Sequence, residues 1–261
     1  MTKAHFLNVG CADCTIFEME TALVVIDCGY RRFSNGTSKP TSILDYIRNT
    51  IGKRYIDLLI ISHPHHDHYL GVEEMIGKVT VGQFWGSPYE RRYGDNSLDL
   101  DEWKEYCNLK EKLVPDPTRR FNCTKDAKET ISGCTFTVLG PRKGINAVET
   151  RECHDASLVI WAATPANHFM ICGDASDSEL DQIMTDWKLQ GCDVLRASHH
   201  GSLNGANLEF IKSASPRDTI ISTKSGIFEN VPSNTALQRY RENSTKVFRT
   251  DTDGTLTTPI K

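Results

Sequence analysis

Residues 56–71 read IDLLIISHPHHDHYLG, and the fold turns on this stretch. The apolar run from Ile56 to Ile61, interrupted only by Asp57, has the length and β-branched content of a buried strand. It stops at Ser62, and the next six positions carry His63, His65, His66, Asp67 and His68. A hydrophobic core cannot absorb that many imidazoles, whereas a turn placed directly after a buried strand can aim several at one point. Neutral imidazole and carboxylate are the usual ligands of zinc and of other borderline metals. The stretch therefore reads as a metal loop rather than as a solvated histidine-rich turn.

On its N-terminal side the chain alternates short apolar runs with turns, AHFLNVG, CTIFEM and ALVVIDCG, which predicts a β-rich start. TSILDYIRNT at 41–50 has helical spacing of Ile43, Leu44, Tyr46 and Ile47, with Thr41 or Ser42 as the cap. Residues 84–130 are more polar, and Leu98 to Leu113 within them read as an exposed helix ended by Pro115. That segment is expected to be an insertion near the active site. Strand signals resume at CTFTVLG, SLVIWAA, HFMICGD, DVLRASHHG, TIISTKSG and VFRTD, with the helical segments SELDQIMTDW and SNTALQRYREN between them. Strands in two groups with intervening helices predict an α/β sandwich of sheets covered by helices. No fixed-period repeat or low-complexity tract divides residues 1–261, so a single domain is expected.

Composition narrows the function. A formal net charge of −4 argues against a protein that coats nucleic acid by bulk electrostatics. The basic pairs Arg91 with Arg92, Arg119 with Arg120, and Arg142 with Lys143 read as solvated surface, although a local basic groove stays open. No stretch approaches the ~20 apolar residues that span a bilayer, and no secretory leader opens the chain. A cytoplasmic protein with no membrane partner is the expectation. Nine cysteines, an odd number without paired spacing, fit reduced thiols better than a disulfide framework. Cys11 and Cys14 have CxxC spacing, but the second CxxC of a zinc ribbon is absent and no helix opens there, so a small-residue turn is expected.

His63, His65, Asp67 and His68 match the HxHxDH pattern of the metallo-β-lactamase superfamily, and the chain resembles that family at three further places. Asp174 in FMICGDAS resembles the aspartate shared between two metals, His199 in RASHHGS the late histidine ligand, and Asp27 in LVVIDCG the aspartate that organises the metal loop. His154 resembles the histidine that precedes the next strand, with a spacing one residue short. The resemblance implies the metallo-β-lactamase fold, a four-layer αββα sandwich. It also implies one metal on His63, His65 and His154, a second on Asp67, His68 and His199, and Asp174 bridging them. Two divalent ions are the expected cofactor, zinc by default, with manganese and iron also compatible with nitrogen and oxygen ligands. Asp67 and His200 are the candidate catalytic residues; His200 follows His199 and could reach a substrate or donate a proton. His66 should point away from the metals, and His5 and His168 read as ordinary strand or loop residues.

Within the superfamily the chain is most similar to the soluble hydrolase domain of ComEC-type competence proteins and their free-standing relatives, through HFLNVGCAD, DASLVI, DVLRASHHGS and VFRTDTDG. It departs at Asn8, where aspartate is more usual, and at Val231, where a histidine commonly precedes the proline. This resemblance implies a phosphodiesterase or nuclease acting on nucleic acid or nucleotides, and the acidic charge favours small nucleotides or single strands. The alternatives are hydrolysis of an acyl bond (lactam, lactone or thioester) and a non-catalytic metal-binding interaction module. Oligomeric state is not written in the sequence.

Overall fold

Successive side chains of the Tyr55–Ile61 strand point to opposite faces, and both faces are apolar. Leu58 and Ile60 enter one buried cluster while Leu59 and Ile61 enter another. A strand with two apolar faces must be covered twice, and that requirement builds the layers. The computed structural model describes residues 2–30, 32–33, 36–37, 41–149 and 151–261.

The strands in chain order are β1 (Lys3–Phe6), β2 (Thr15–Glu18), β3 (Leu23–Ile26), the hairpin β4 (Arg32–Phe33) and β5 (Gly36–Thr37), β6 (Tyr55–Ile61), β7 (Thr80–Gly86) and β8 (Arg120–Asn122). They continue as β9 (Lys128–Ile131), β10 (Cys134–Gly140), β11 (Val159–Ala163), β12 (His168–Ile171), β13 (Val194–Arg196), β14 (Asp218–Ile221), β15 (Lys246–Arg249) and β16 (Leu256–Pro259). One seven-stranded sheet has the order β16-β1-β2-β3-β6-β7-β8, and a second has the order β15-β14-β13-β12-β11-β10-β9. Both sheets are mixed: β3, β6, β7 and β8 run parallel, as do β12, β13, β14 and β15.

The sheets pack face to face through Phe17, whose ring meets Phe136 at 5.2 Å and Phe169 at 5.3 Å between centroids, both edge-on. Around this contact Phe6, Val24, Leu58, Ile60, Val138, Ile160 and Ile171 fill the central layer. The outer face of the first sheet is covered by residues 43–51, by the short helices after β6 and by the Leu100–Leu113 helix. The outer face of the second lies under the helices Asp177–Asp186, Leu208–Ala214 and Asn234–Asn243. This is the expected αββα arrangement.

The Leu100–Leu113 helix starts at the cap Asp99, whose carboxylate accepts from the Asp101 and Glu102 amides. It is not the exposed helix expected from its charge. Tyr106, Leu109 and Leu113 recur on one side and are buried against the first sheet, while Lys104, Glu111 and Lys112 face water. The segment around it also supplies β8, which pairs with β7, so part of residues 84–130 belongs to the sheet itself. Among the described residues no helix is long and apolar enough to cross a membrane.

Glu179 is a buried carboxyl whose pKa burial raises more than the nearby Arg142 charge lowers it. Its Oε1 makes no hydrogen bond and packs on the backbone of Gly140, where a Cβ would lie 1.9 Å from it. Burial, with the nearby Asp155 charge, pushes its pKa up to about 9. Between its ordinary value and about 9 the folded protein holds a proton that the unfolded chain releases, so stability falls as pH rises through this window. Glu179→Gln should therefore stabilise the protein at pH 8 and lose that advantage toward pH 5 (pH values approximate). Urea denaturation at both pH values checks this, and a variant less stable than the parent at the higher pH would contradict it.

Candidate metal centre

The parallel strands place their C-terminal ends on one side of the sandwich, where ligand sites of α/β sheets form. The turns after β1, β3, β6, β12 and β13 deliver Asp13, Asp27, residues 63–68, Asp174 and residues 199–200 there, and the turn Cys153–Ala156 before β11 adds His154. Close backbone contact holds the turns together. The Asp13 amide donates to the Asp67 carbonyl and the Gly29 amide to the Asp13 carbonyl, both at 2.9 Å. A Cβ at Gly29 would lie 1.6 Å from the Asp67 oxygen, so only glycine fits.

Asp27 sits in the left-handed region at φ 59°. Its carboxylate accepts from the Ser62 amide (2.7 Å), the Ser62 hydroxyl (2.8 Å) and His68 Nδ1 (2.8 Å). With Nδ1 committed, His68 presents Nε2 to Asp174 Oδ1 at 3.2 Å. His65 is oriented the other way round: its Nε2 donates to the Ser97 carbonyl at 3.0 Å and leaves Nδ1 facing inward. His63 Nε2 and His154 Nε2 lie 2.9 and 3.1 Å from that Nδ1, so three ring nitrogens converge.

The two consecutive histidines part company. Residues 199–201 all have positive φ, and this turn sends the two imidazoles in different directions. The side chain of His200 is 4% exposed. Its Nδ1 donates to the Ser222 carbonyl at 2.9 Å, and its Nε2 lies 3.5 Å from both Asp67 Oδ2 and Asp174 Oδ2. His199 is 24% exposed, stacks obliquely on His154 at 4.3 Å between centroids, and has Nε2 4.0 Å from Asp174. His200 thus joins the group that contains His68 and Asp174, the place expected for His199, while His199 falls in a group with His154 and Asp174. His66 points out of the site, its Nε2 2.8 Å from Glu105.

Among the described residues three groups of ligating atoms result, each within 4.8 Å: His63 with His65 and His154; His68 with Asp174, His200 and Asp13; and His154 with Asp174 and His199. Such a set of imidazoles and carboxylates fits divalent metal ions. His68 Nε2, His200 Nε2 and Asp174 Oδ1 are buried without a hydrogen bond, an arrangement that costs energy unless a cation satisfies them. Burial and neighbouring imidazoles hold His63 and His154 well below the usual histidine range, and burial lowers His199, so these rings keep free lone pairs. Burial opposes a charge on His68 as well, but Asp174 and Asp27 outweigh it and raise its pKa well above the ordinary value. Burial likewise disfavours ionised Asp174, yet His200, His68 and His199 hold its carboxyl well below the usual range.

Asp13 went unrecognised as a site residue in the sequence, although HFLNVGCAD carries it. It is 3.7 Å from His68 Nδ1 and is paired with the buried guanidinium of Arg196, which also donates to the Gly173 and Ala197 carbonyls at 2.6 Å each. An aspartate among small and apolar residues was the available signal; its cationic partner lies far along the chain.

A model of the metallo-beta-lactamase superfamily matches residues 8–225. The chain belongs to that superfamily. It is 27% identical over 205 residues to ComE operon protein 3 of Bacillus subtilis (strain 168), a match covering 78% of this chain and 25% of that protein. The chain thus spans about a quarter of the relative's length. Among solved structures it resembles CmlA, a diiron beta-hydroxylase from Streptomyces venezuelae, with TM-score 0.61, 12% identity, and coverage of 99% of this chain and 54% of that one. It also resembles a diphosphatase from the PhnP family, with TM-score 0.53, 12% identity, and coverage of 100% and 98%. At these identities the structural likenesses establish the fold, which other members use mostly for metal-dependent hydrolysis.

Two predictions follow from the geometry. A proton held on His68 by Asp27 and Asp174 must leave when a metal takes Nε2, so affinity for zinc should fall as pH is lowered. Calorimetric titration of chelator-treated protein in two buffers of different ionisation enthalpy should show proton release; identical heats would mean that His68 carries no proton to displace and would overturn the expectation. Asp13→Ala leaves the Arg196 guanidinium buried without its carboxylate and should cost about 3–5 kcal/mol of stability, read by urea denaturation. A loss under about 1 kcal/mol would show that Arg196 finds other compensation.

Proposed function

We propose that the chain is a binuclear metal-dependent hydrolase that cleaves phosphodiester bonds in nucleotides or single-stranded nucleic acid. The observation that supports the reading is that Asp174 falls both in the group with His68 and His200 and in the group with His154 and His199, and lies 4.0 Å from His63 Nε2. On this reading His63, His65 and His154 would hold one ion and Asp67, His68 and His200 the other, with Asp174 close to both sets. Two ions bound there would supply Lewis-acid polarisation of the phosphoryl group and an acidified water, the usual gain of a two-metal site for in-line displacement. Zinc is the proposed metal, with manganese or iron as the alternatives.

The protein's own part is placement. Asp27 and the Ser97 and Ser222 carbonyls fix which nitrogen of His68, His65 and His200 faces the centre. His199, partly exposed beside His154, is the imidazole positioned to hydrogen-bond a substrate oxygen. The polar walls of the adjoining cavity, with Arg92 and Asn96 among them, support a polar substrate such as a phosphodiester over a lactam or thioester with an apolar acyl group. The solved diphosphatase of the same fold agrees with chemistry at phosphorus.

Two single variants test the division between the neighbouring histidines. His200→Ala should lose about one equivalent of metal by elemental mass spectrometry, together with activity. His199→Ala should retain about two equivalents while kcat on a model phosphodiester falls about 10²- to 10⁴-fold. Metal loss in His199→Ala with full retention in His200→Ala would restore the opposite assignment. Turnover of acyl esters with none of phosphodiesters would overturn the choice of reaction.

A further inference from the structure

Beside His154 lies a cavity of about 560 Å³ that the ligand groups do not fill. Its walls come from the loop after β7, with Arg92, Tyr93 and Asn96, and from the segment before His154, with Glu149 and Glu152. Since His154 belongs both to the ligand set and to the cavity wall, a substrate held at the centre has one side in this space.

The loop is braced from beneath. The Arg91 guanidinium donates to the carbonyls of Leu98 (2.7 Å), Asp95 (2.9 Å) and Arg92 (3.2 Å). Asp95 accepts from the Tyr89 hydroxyl at 2.6 Å and from the Ser97 amide and hydroxyl at 3.0 and 2.7 Å. Burial alone would raise its carboxyl, but these hydrogen bonds and the Arg151 charge hold it below the usual range. Arg151 is only 1% exposed, lies over the Tyr89 ring at 4.5 Å and 3.6 Å from Asp95, and lines the cavity with Nε and Nη1 free of hydrogen bonds. On this rigid base Tyr93 holds its whole ring in solvent. An exposed aromatic on a braced loop, next to a guanidinium, an amide and two carboxylates, is a lining for a planar heterocycle whose edge carries N–H donors. Glu149 and Glu152 would repel a run of phosphates, so the space suits one nucleoside rather than an extended strand.

We propose that this cavity is a nucleoside subsite: the base of the nucleotide flanking the scissile phosphate stacks on Tyr93 and turns its polar edge to Asn96 and the two glutamates. The inference rests on the phosphodiesterase reading for its role in turnover, but binding tests it independently. Guanosine 5′-monophosphate and ribose 5-phosphate both carry the phosphate, and only the first carries a base. Calorimetric titration of the metal-loaded full chain should find the nucleotide bound at least about tenfold more tightly. Tyr93→Ala should weaken the nucleotide at least about fivefold, as expected for loss of a stacking platform, and leave ribose 5-phosphate affinity and metal content unchanged. Asn96→Ala should weaken the nucleotide alone as well. Equal affinity for the two ligands, or a Tyr93→Ala variant that binds the nucleotide like the parent, overturns the subsite. A chain that binds the nucleotide through Tyr93 but hydrolyses no phosphodiester would sink the catalytic reading and keep the subsite, whereas an active phosphodiesterase blind to the base would do the reverse.

Discussion

Asp27 carries more of the structure than any ligand does. Its amide donates to the Ile60 carbonyl at 2.8 Å, while its carboxylate takes the Ser62 amide, the Ser62 hydroxyl and His68. One side chain therefore stops β6, starts the metal loop and selects the nitrogen that His68 turns inward. A left-handed backbone at a non-glycine residue costs about 1–2 kcal/mol, and a buried carboxylate costs more unless donors surround it. Three charge-assisted hydrogen bonds offset both. Without them β3 and β6 would still pair, but nothing would fix how the histidines leave the strand.

The same logic governs the late turn. Residues 199–201 adopt left-handed conformations in succession, a strain that persists only where the surroundings over-determine it. Here the Ser222 carbonyl holds His200 Nδ1, and the His199 amide donates to the Gly173 carbonyl at 3.1 Å. In extended backbone, consecutive side chains point to opposite faces. The kinked turn instead keeps both imidazoles at the site, one buried among the carboxylates and the other on the open side.

What could be read in the sequence follows from this. The histidine-rich loop follows an apolar strand, so local pattern identified it, whereas Asp174 and Asp27 were singled out by the resemblance to the superfamily. The order of His199 and His200 could not be read, because it depends on backbone dihedrals and on a carbonyl supplied by another strand. Asp13 was hidden for a similar reason: the meaning of an isolated aspartate depends on Arg196, which only the fold brings to it. The Leu100–Leu113 helix was misjudged through its charge, although Tyr106, Leu109 and Leu113 already had the spacing of a buried stripe. Cys11 and Cys14 are both buried, and neither forms a disulfide among the described residues.

The cavity and the metal centre are joined through Ser97. Its carbonyl accepts from His65 Nε2, and its hydroxyl accepts from the Cys153 amide at 2.9 Å, at the start of the turn that carries His154. Asp95 in turn holds Ser97 through both amide and hydroxyl. The loop that walls the cavity thus also sets the orientation of two of the three histidines in one ligand group. A shift of this loop must move His65 or break its hydrogen bond to the Ser97 carbonyl. The shape of the cavity and the placement of the candidate ligands are therefore coupled. A loop that varied freely in sequence around the cavity would still have to keep a carbonyl and a hydroxyl at the place of Ser97, and that requirement limits how far the pocket can be remodelled without loss of the centre it serves.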